Sequence, residues 1–247
     1  MSGGQFELEV VGSRRRTPRV VEIDLRVPEG RPFSYVPGQF VTLHLPDGPD
    51  ELRRSYSIAV PPREDRTIAL AVGEVPSGRA TRILFGVRPG DRLRASGPFG
   101  RFILREDETL PRLYLVGTGT GIAPYRTMLP GIERFLAHDP ERRHVSVLLG
   151  VRSPEERLYG DEFRAFAAAH PGFTFLSCQS RSLSDPPEPD ERRGYVQKVL
   201  AELAPDPAES VVYLCGNPGM IDEATELLKS RGFPLVNIRR EKYVSSN

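Results

Sequence analysis

Leu113-Tyr-Leu-Val-Gly-Thr-Gly-Thr-Gly-Ile-Ala-Pro124 is the stretch that decides how the chain folds. A continuous apolar strand, Leu113 to Val116, runs into a glycine-rich turn and then into a helix with proline at or near its first position. The helix shows its apolar face as Tyr125, Met128, Leu129, Ile132, Phe135 and Leu136, the spacing of a helix packed on one side. The same grammar repeats downstream. Val145-Ser-Val-Leu-Leu149 is followed by a helix around Phe163 and Phe166, then by Phe173-Thr-Phe-Leu176. Helical spacing returns at Val196, Val199, Leu200 and Leu203. Val211-Val-Tyr-Leu214 comes next, then Met220, Ile221, Ala224, Leu227 and Leu228. Repeated strand-helix units of this kind predict a parallel sheet covered on both faces.

Upstream the period is two. Phe6/Leu8/Val10, Val21/Ile23/Leu25/Val27, Val41/Leu43/Leu45, Ile68/Leu70/Val72 and Leu93/Ala95 alternate between Pro and Gly clusters, the pattern of an antiparallel barrel or sandwich. Thr81 to Gly86 is the one helical candidate in this half, and Phe102 to Leu104 reads as a last short strand. The expected architecture is an N-terminal antiparallel β-barrel, residues 1–107, followed by a doubly wound parallel α/β domain, residues 112–247. Glu106 to Pro111 is the linker, and Ser182 to Arg193, rich in proline and charge, is an exposed loop.

The chain has 247 residues, enough to bury the cores of two domains. With 34 basic and 33 acidic residues the net charge is +1, which argues against nucleic-acid binding through bulk charge. Two cysteines, Cys178 and Cys215, and four histidines show no ligand spacing, so no metal site is expected. No apolar run of membrane-spanning length is present, and a cytoplasmic protein, monomeric or weakly dimeric, is expected. Arg14-Arg-Arg16 and Arg239-Arg240 read as solvated surface charge or as the contact for an acidic partner.

Four places carry candidate chemistry. Arg54-Ser55-Tyr56-Ser57 joins a permanent cation, an aromatic plate and hydroxyls, suited to a flat phosphorylated ligand or to an ordinary half-buried strand. Gly78-Arg79-Ala80-Thr81 is a glycine-led turn into a helix start, which either attracts an anion or is simply capped by Thr81. The turn holding Gly119, Thr120 and Gly121 lies at a strand's C-terminal end, where open α/β sheets bind ligands. It is neither Gly-x-Gly-x-x-Gly nor a P-loop. Finally, Gly150-Val151-Arg152, Ser180-Arg181 and Cys215-Gly216-Asn217-Pro218-Gly219-Met220 end later strands and therefore gather on one sheet edge. Two arginines and a serine there suit a ribose 2′-phosphate, and no Asp or Glu closes the second strand to read a 2′-hydroxyl. Glu155 and Glu156 read as helix-start residues. Cys215 by its type is a buried apolar residue that also borders the ligand edge. Tyr243, near the C-terminus, is an aromatic able to cover a cofactor ring.

Taken as an ordered series, these motifs resemble the ferredoxin–NADP reductase family of flavoproteins over nearly the whole chain. The resemblance implies an FAD-binding barrel and an NADP-binding α/β domain, with the two cofactors meeting in a cleft. It implies that Arg54, Ser55, Tyr56, Ser57, Gly78, Arg79, Ala80, Thr81, Thr120 and Tyr243 bind FAD. Gly119, Thr120, Gly121, Gly150, Val151, Arg152, Ser180, Arg181, Gly216, Asn217, Pro218, Gly219 and Met220 would bind NADP(H). Ser57, Cys215 and Glu241 are the candidate catalytic residues. Two departures matter. Gly194 is followed by Tyr195-Val196 where some members place a further phosphate-binding arginine, with Arg192 and Arg193 as substitutes, and the tail runs on past Tyr243.

The implied activity is hydride transfer between NADP(H) and FAD, with single electrons exchanged with a separate ferredoxin or flavodoxin. One alternative is an NADH-linked reductase component of an oxygenase or other multicomponent system. Another is a flavin- and nucleotide-binding regulatory subunit without turnover.

Overall fold

Period-two alternation places Phe6, Leu8, Val10, Val41, Leu43 and Leu45 inside a β-structured core, as the sequence pattern requires. The computed structural model describes residues 4–243. It divides into two units: residues up to Ile103 with Ala123–Met128, and Leu104–Ile122 with the residues from Leu129 on.

The first unit holds β1 (Phe6–Thr17), β2 (Val20–Arg26), β3 (Phe40–Asp47), β4 (Asp50–Ser57), β5 (Thr67–Gly73) and β6 (Arg92–Phe99), with the short helix α1 (Arg79–Leu84). The six strands are antiparallel in the order β4-β3-β6-β1-β2-β5. A bridge from Ile58 to Leu70, with the Ala59 N–H donating to the Ala69 carbonyl at 2.7 Å, joins the first strand to the last and closes the barrel. Closure removes the open edges that would otherwise expose unpaired backbone. Residues 102–104 are not a strand. Arg14 and Arg16 are also not free surface charge: both grip Glu22, which is fully buried on β2.

The second unit contains β7 (Arg112–Thr118), α2 (Ala123–His138, entered from residues grouped with the first unit), β8 (His144–Val151), α3 (Gly160–Ala169) and β9 (Phe173–Gln179). It continues with β10 (Glu191–Arg193), α4 (Val196–Leu203), β11 (Ser210–Gly216), α5 (Pro218–Ser230) and β12 (Ile238–Lys242). All six strands are parallel, in the order β10-β9-β8-β7-β11-β12. On one face Val196, Val199 and Leu200 of α4 and Met220, Ile221, Ala224 and Leu228 of α5 share a buried cluster with Val116, Leu148 and Leu214. Elsewhere Phe163 of α3 stacks on Phe175 of β9 at 5.4 Å between ring centroids.

Three readings of this half change. Glu106 to Pro111 is not a bare linker, because Glu108 is buried and pairs with Arg239 of β12. Arg239-Arg240 is therefore part of a strand, with Arg239 folded over the Tyr213 ring. Ser182 to Arg193 is not simply an exposed loop. Its end forms the edge strand β10, and Glu191 is buried at a hub. Arg157 Nη1 (3.0 Å), Gln179 Nε2 (3.0 Å), and the Ser184 N–H (2.9 Å) and hydroxyl (2.7 Å) all donate to its carboxylate.

Burial alone would raise the Glu191 pKa, but the hydrogen bonds led by Ser184 and Gln179 more than offset it and hold the group at about 2. A depressed carboxylate adds stability that is complete above its unfolded pKa of roughly 4.3 and is lost as pH falls through the folded value. The melting temperature is expected to drop between roughly pH 5 and pH 2.5, and to drop less steeply in Glu191→Gln. Thermal melts followed by circular dichroism check this, and equal acid slopes in the two proteins refute it.

Candidate cofactor and nucleotide sites

In the β3–β4 ladder Arg54 lies opposite Leu43 and Tyr56 opposite Val41, so both continue the core face of the strand. Leu52 and Ile58 on that face are buried, whereas Arg54 and Tyr56 are half-buried, so the core face opens between them. Tyr56 packs against the core cluster, and burial pushes its hydroxyl up to about 12, keeping it a neutral phenol at any working pH. Arg54 steadies its guanidinium by donating to the Arg53 carbonyl at 2.8 Å. Ser55 points to the opposite face, where its hydroxyl meets Thr42 Oγ1 at 3.0 Å, and Ser57 is buried at the strand end.

The segment Gly78 to Thr81 opens α1 with Gly78 as the cap residue and no side-chain cap. The Thr81 hydroxyl does not cap. It accepts the Val75 N–H at 3.0 Å and braces the incoming turn. A Cβ on Gly78 would lie 2.9 Å from the Val75 carbonyl oxygen, so the turn closes only around glycine. Arg79 pairs with Asp47 and ties the helix start to the β3–β4 hairpin. The first N–H groups of a helix have no partner inside it, the general reason such turns are candidates for an anion.

In the second unit, glycines set the geometry of the sheet's C-terminal edge. A Cβ on Gly121 would sit 2.4 Å from the Cys215 carbonyl oxygen, and one on Gly117 would sit 2.9 Å from the Gly121 oxygen. Gly216, at φ +116°, approaches the Thr118 hydroxyl so closely that a Cβ there would lie 2.6 Å away. Thr118 Oγ1 also accepts the Asn217 N–H at 2.9 Å. Asn217 in turn caps α5 by accepting the Met220 N–H at 3.1 Å, with Pro218 in the first helical turn and Gly219 beside it. Gly119, Thr120 and Gly121 form a short 3₁₀ turn leading into α2, and Gly119 has open space around its Cβ position.

Arg152, Ser180 and Arg181 do come to one edge. The Ser180 N–H donates to the Val151 carbonyl at 3.1 Å, and the Arg181 N–H donates to the Arg152 carbonyl at 2.8 Å. Gly150 beside them packs against Thr118 and Val196. The feature sequence reasoning missed is Glu156. With Glu155 it lies in the first turn of a short 3₁₀ helix, Pro154–Glu156, and it also pairs fork to fork with Arg152, including Arg152 Nε to Oε2 at 3.0 Å. The four-residue spacing was the available signal.

Cys215 is fully buried, opposite Glu241 in the β11–β12 ladder. Burial, then the Glu241 charge, raises its pKa well above the ordinary thiol value, against a hydrogen bond from the Tyr243 side chain. It remains a thiol, not a nucleophilic thiolate. Tyr243 is anchored on the same strand by its N–H to the Gly216 carbonyl at 2.9 Å. Among the described residues no cluster of His, Cys, Asp or Glu could hold a metal ion, and no helix is long and apolar enough to cross a membrane.

Because residue 121 faces backbone, which cannot swing aside, Gly121→Ala is expected to destabilise the α/β unit by at least ~2 kcal/mol. Chemical denaturation of that variant checks it, and an unchanged midpoint would show that the turn can relax.

With this geometry in hand, the comparisons are consistent. Residues 9–103 match the oxidoreductase FAD-binding domain, and residues 115–226 match the oxidoreductase NAD-binding domain. The chain is 34% identical to ferredoxin–NADP reductase B of Sorangium cellulosum, covering 96% of this chain and 97% of that protein. It is 32% identical to the reductase component of propane 2-monooxygenase from Rhodococcus jostii, covering 93% of this chain and only 61% of that longer protein. The crystal structure of an Amycolatopsis cytochrome P450 reductase superposes with a TM-score of 0.85 at 29% identity, over all of this chain and 72% of that one. A closed antiparallel barrel, a parallel α/β sheet with a glycine-lined edge, and relatives spanning both identify the chain as a member of the ferredoxin–NADP reductase family of FAD- and pyridine-nucleotide-binding oxidoreductases.

Proposed function

We propose that the chain oxidises NADPH and passes single electrons to a separate ferredoxin or flavodoxin. The observation that supports this reading is the backbone pairing that holds Arg152, Ser180 and Arg181 at one edge, a donor set suited to a 2′-phosphate. FAD, when bound, supplies the exchange between a two-electron hydride and one-electron transfers.

The chain's own residues bind, orient and exclude water. The residues present fit both groups: Arg54 and Tyr56 put a cation and a neutral ring on the strand face that opens between Leu52 and Ile58, and Gly119 has open space at its Cβ position. In the first unit Arg54 and the start of α1, Gly78 to Thr81, hold the anionic diphosphate of FAD. Tyr56 offers a neutral ring, and Ser55 and Ser57 offer hydroxyls. In the second unit the turn Gly119-Thr120-Gly121 and Gly216 to Met220 hold the nicotinamide half of the nucleotide, with Gly150 and Val151 beside its ribose. Cys215 contributes a neutral, water-free wall, and Glu241 holds the acidic position next to it. Tyr243 contributes through its contact with Cys215. The compartment we propose is the cytoplasm, where the buried free thiols Cys178 and Cys215 stay reduced.

A second reading, an NADH-linked reductase component of an oxygenase system, is favoured by one observation: the carboxylate of Glu156 already occupies the Arg152 fork. The resemblance to the propane monooxygenase component points the same way.

Arg54→Ala is expected to lose FAD during purification, read as a fall in the 450 nm to 280 nm absorbance ratio of roughly threefold or more, in line with the loss of one charged phosphate contact. Full flavin occupancy in that variant removes Arg54 from the diphosphate site. Arg181→Ala is expected to raise KM for NADPH by about tenfold while moving that for NADH less than about twofold. Steady-state assays with ferricyanide as acceptor measure both, and equal losses overturn the 2′-phosphate assignment.

A further inference from the structure

We infer that Glu156 sets how strongly this protein distinguishes a ribose 2′-phosphate from a ribose 2′-hydroxyl, a role resting on the reading that Arg152 and Arg181 face that ribose. Arg152 presents a two-donor edge, Nε and Nη2, and both Glu156 carboxylate oxygens fill it. The Arg152 N–H leans on the same carboxylate at 3.4 Å. Planar forks of this kind are the geometry by which arginine recognises carboxylate or phosphate, and one edge serves one partner at a time.

The carboxylate is held there. Pro154 starts the turn that Glu156 ends, and the Arg157 N–H donates to the Pro154 carbonyl at 3.1 Å. The neighbouring cation does not share the load, because Arg157 directs its guanidinium at Glu188, Glu191 and the Pro154 carbonyl. Glu155 turns to the Ser153 hydroxyl, which holds its own pKa low and adds a second negative charge to this turn. At the strand ends Arg152 and Arg181 are therefore opposed by Glu156 directly, with Glu155 one residue away. A phosphate dianion entering the Arg152 fork must displace a carboxylate or sit beside it. A 2′-hydroxyl meets no such conflict, since it can donate to Glu156.

The test is calorimetric titration of the FAD-loaded full chain with 2′,5′-ADP and with 5′-ADP, in the parent, Glu156→Gln, Glu156→Ala and Arg152→Ala proteins. Both Glu156 variants are expected to bind 2′,5′-ADP about tenfold more tightly and 5′-ADP within about twofold of the parent, the size expected when one charge-assisted hydrogen bond to the phosphate becomes available. Arg152→Ala is expected to weaken 2′,5′-ADP. If Arg152→Ala weakens it but neither Glu156 variant tightens it, the phosphate subsite stands and the role of Glu156 is refuted. If Arg152→Ala changes nothing, the subsite assignment itself fails, and the inference with it.

Discussion

The carbonyl oxygen of Cys215 lies where a side chain on residue 121 would have to be, and the second unit's ligand edge is built outward from that contact. Two stretches of backbone, the turn after β7 and the end of β11, meet with no side chain between them. Gly117, Gly121 and Gly216 each supply part of the gap. The Thr118 hydroxyl fills the remaining polar need by accepting the Asn217 N–H, and Asn217 then caps α5. One close approach thus fixes the start of a helix and the position of residues 216–220 together. In an α/β sheet this edge is where a ligand's anionic groups find helix starts and free backbone donors.

Around that backbone frame, arginine does most of the joining. Glu22, Glu108 and Glu191 are buried carboxylates, and each is met by at least one guanidinium. A buried charge without a partner is costly, so removing one member of such a pair destabilises the fold by more than the intact pair contributes. They also explain why polar segments are ordered. The proline-rich stretch after Arg181 carries few apolar residues, yet Glu188, Asp190 and Glu191 bind it to Arg157 and Arg164.

Sequence pattern made the layered plan legible because the apolar period changes at Leu113, and most residues in each period are buried; Leu203 is exposed, and Phe166 and Leu227 are half-buried. It missed β10 and β12 for a physical reason. Glu191-Arg-Arg and Ile238-Arg-Arg-Glu-Lys are edge strands, whose outward positions take charge without penalty and so carry no apolar alternation. It also misread Glu108, Arg14 and Arg16 as linker or surface charges and missed the partner of Glu156, since a sequence shows how many charges there are but not which ones meet. The placement of Arg54 to Ser57 on a strand and of the glycine turns at strand and helix ends was readable because each depends on local backbone form. The pairing that occupies Arg152 was readable only as a four-residue spacing.

Guanidinium groups stay charged across the whole biological pH range. Hydrogen bonds from Arg157, then Arg164, hold Glu188 low, and those from Ser184 and Gln179 hold Glu191 at about 2 against its burial. On the other side, burial moves the Tyr56 phenol and the Cys178 thiol up to about 12. Each of these four groups therefore keeps one protonation state near pH 7. A change of proton load near neutrality leaves these ion pairs and buried side chains in the charge state they were folded with.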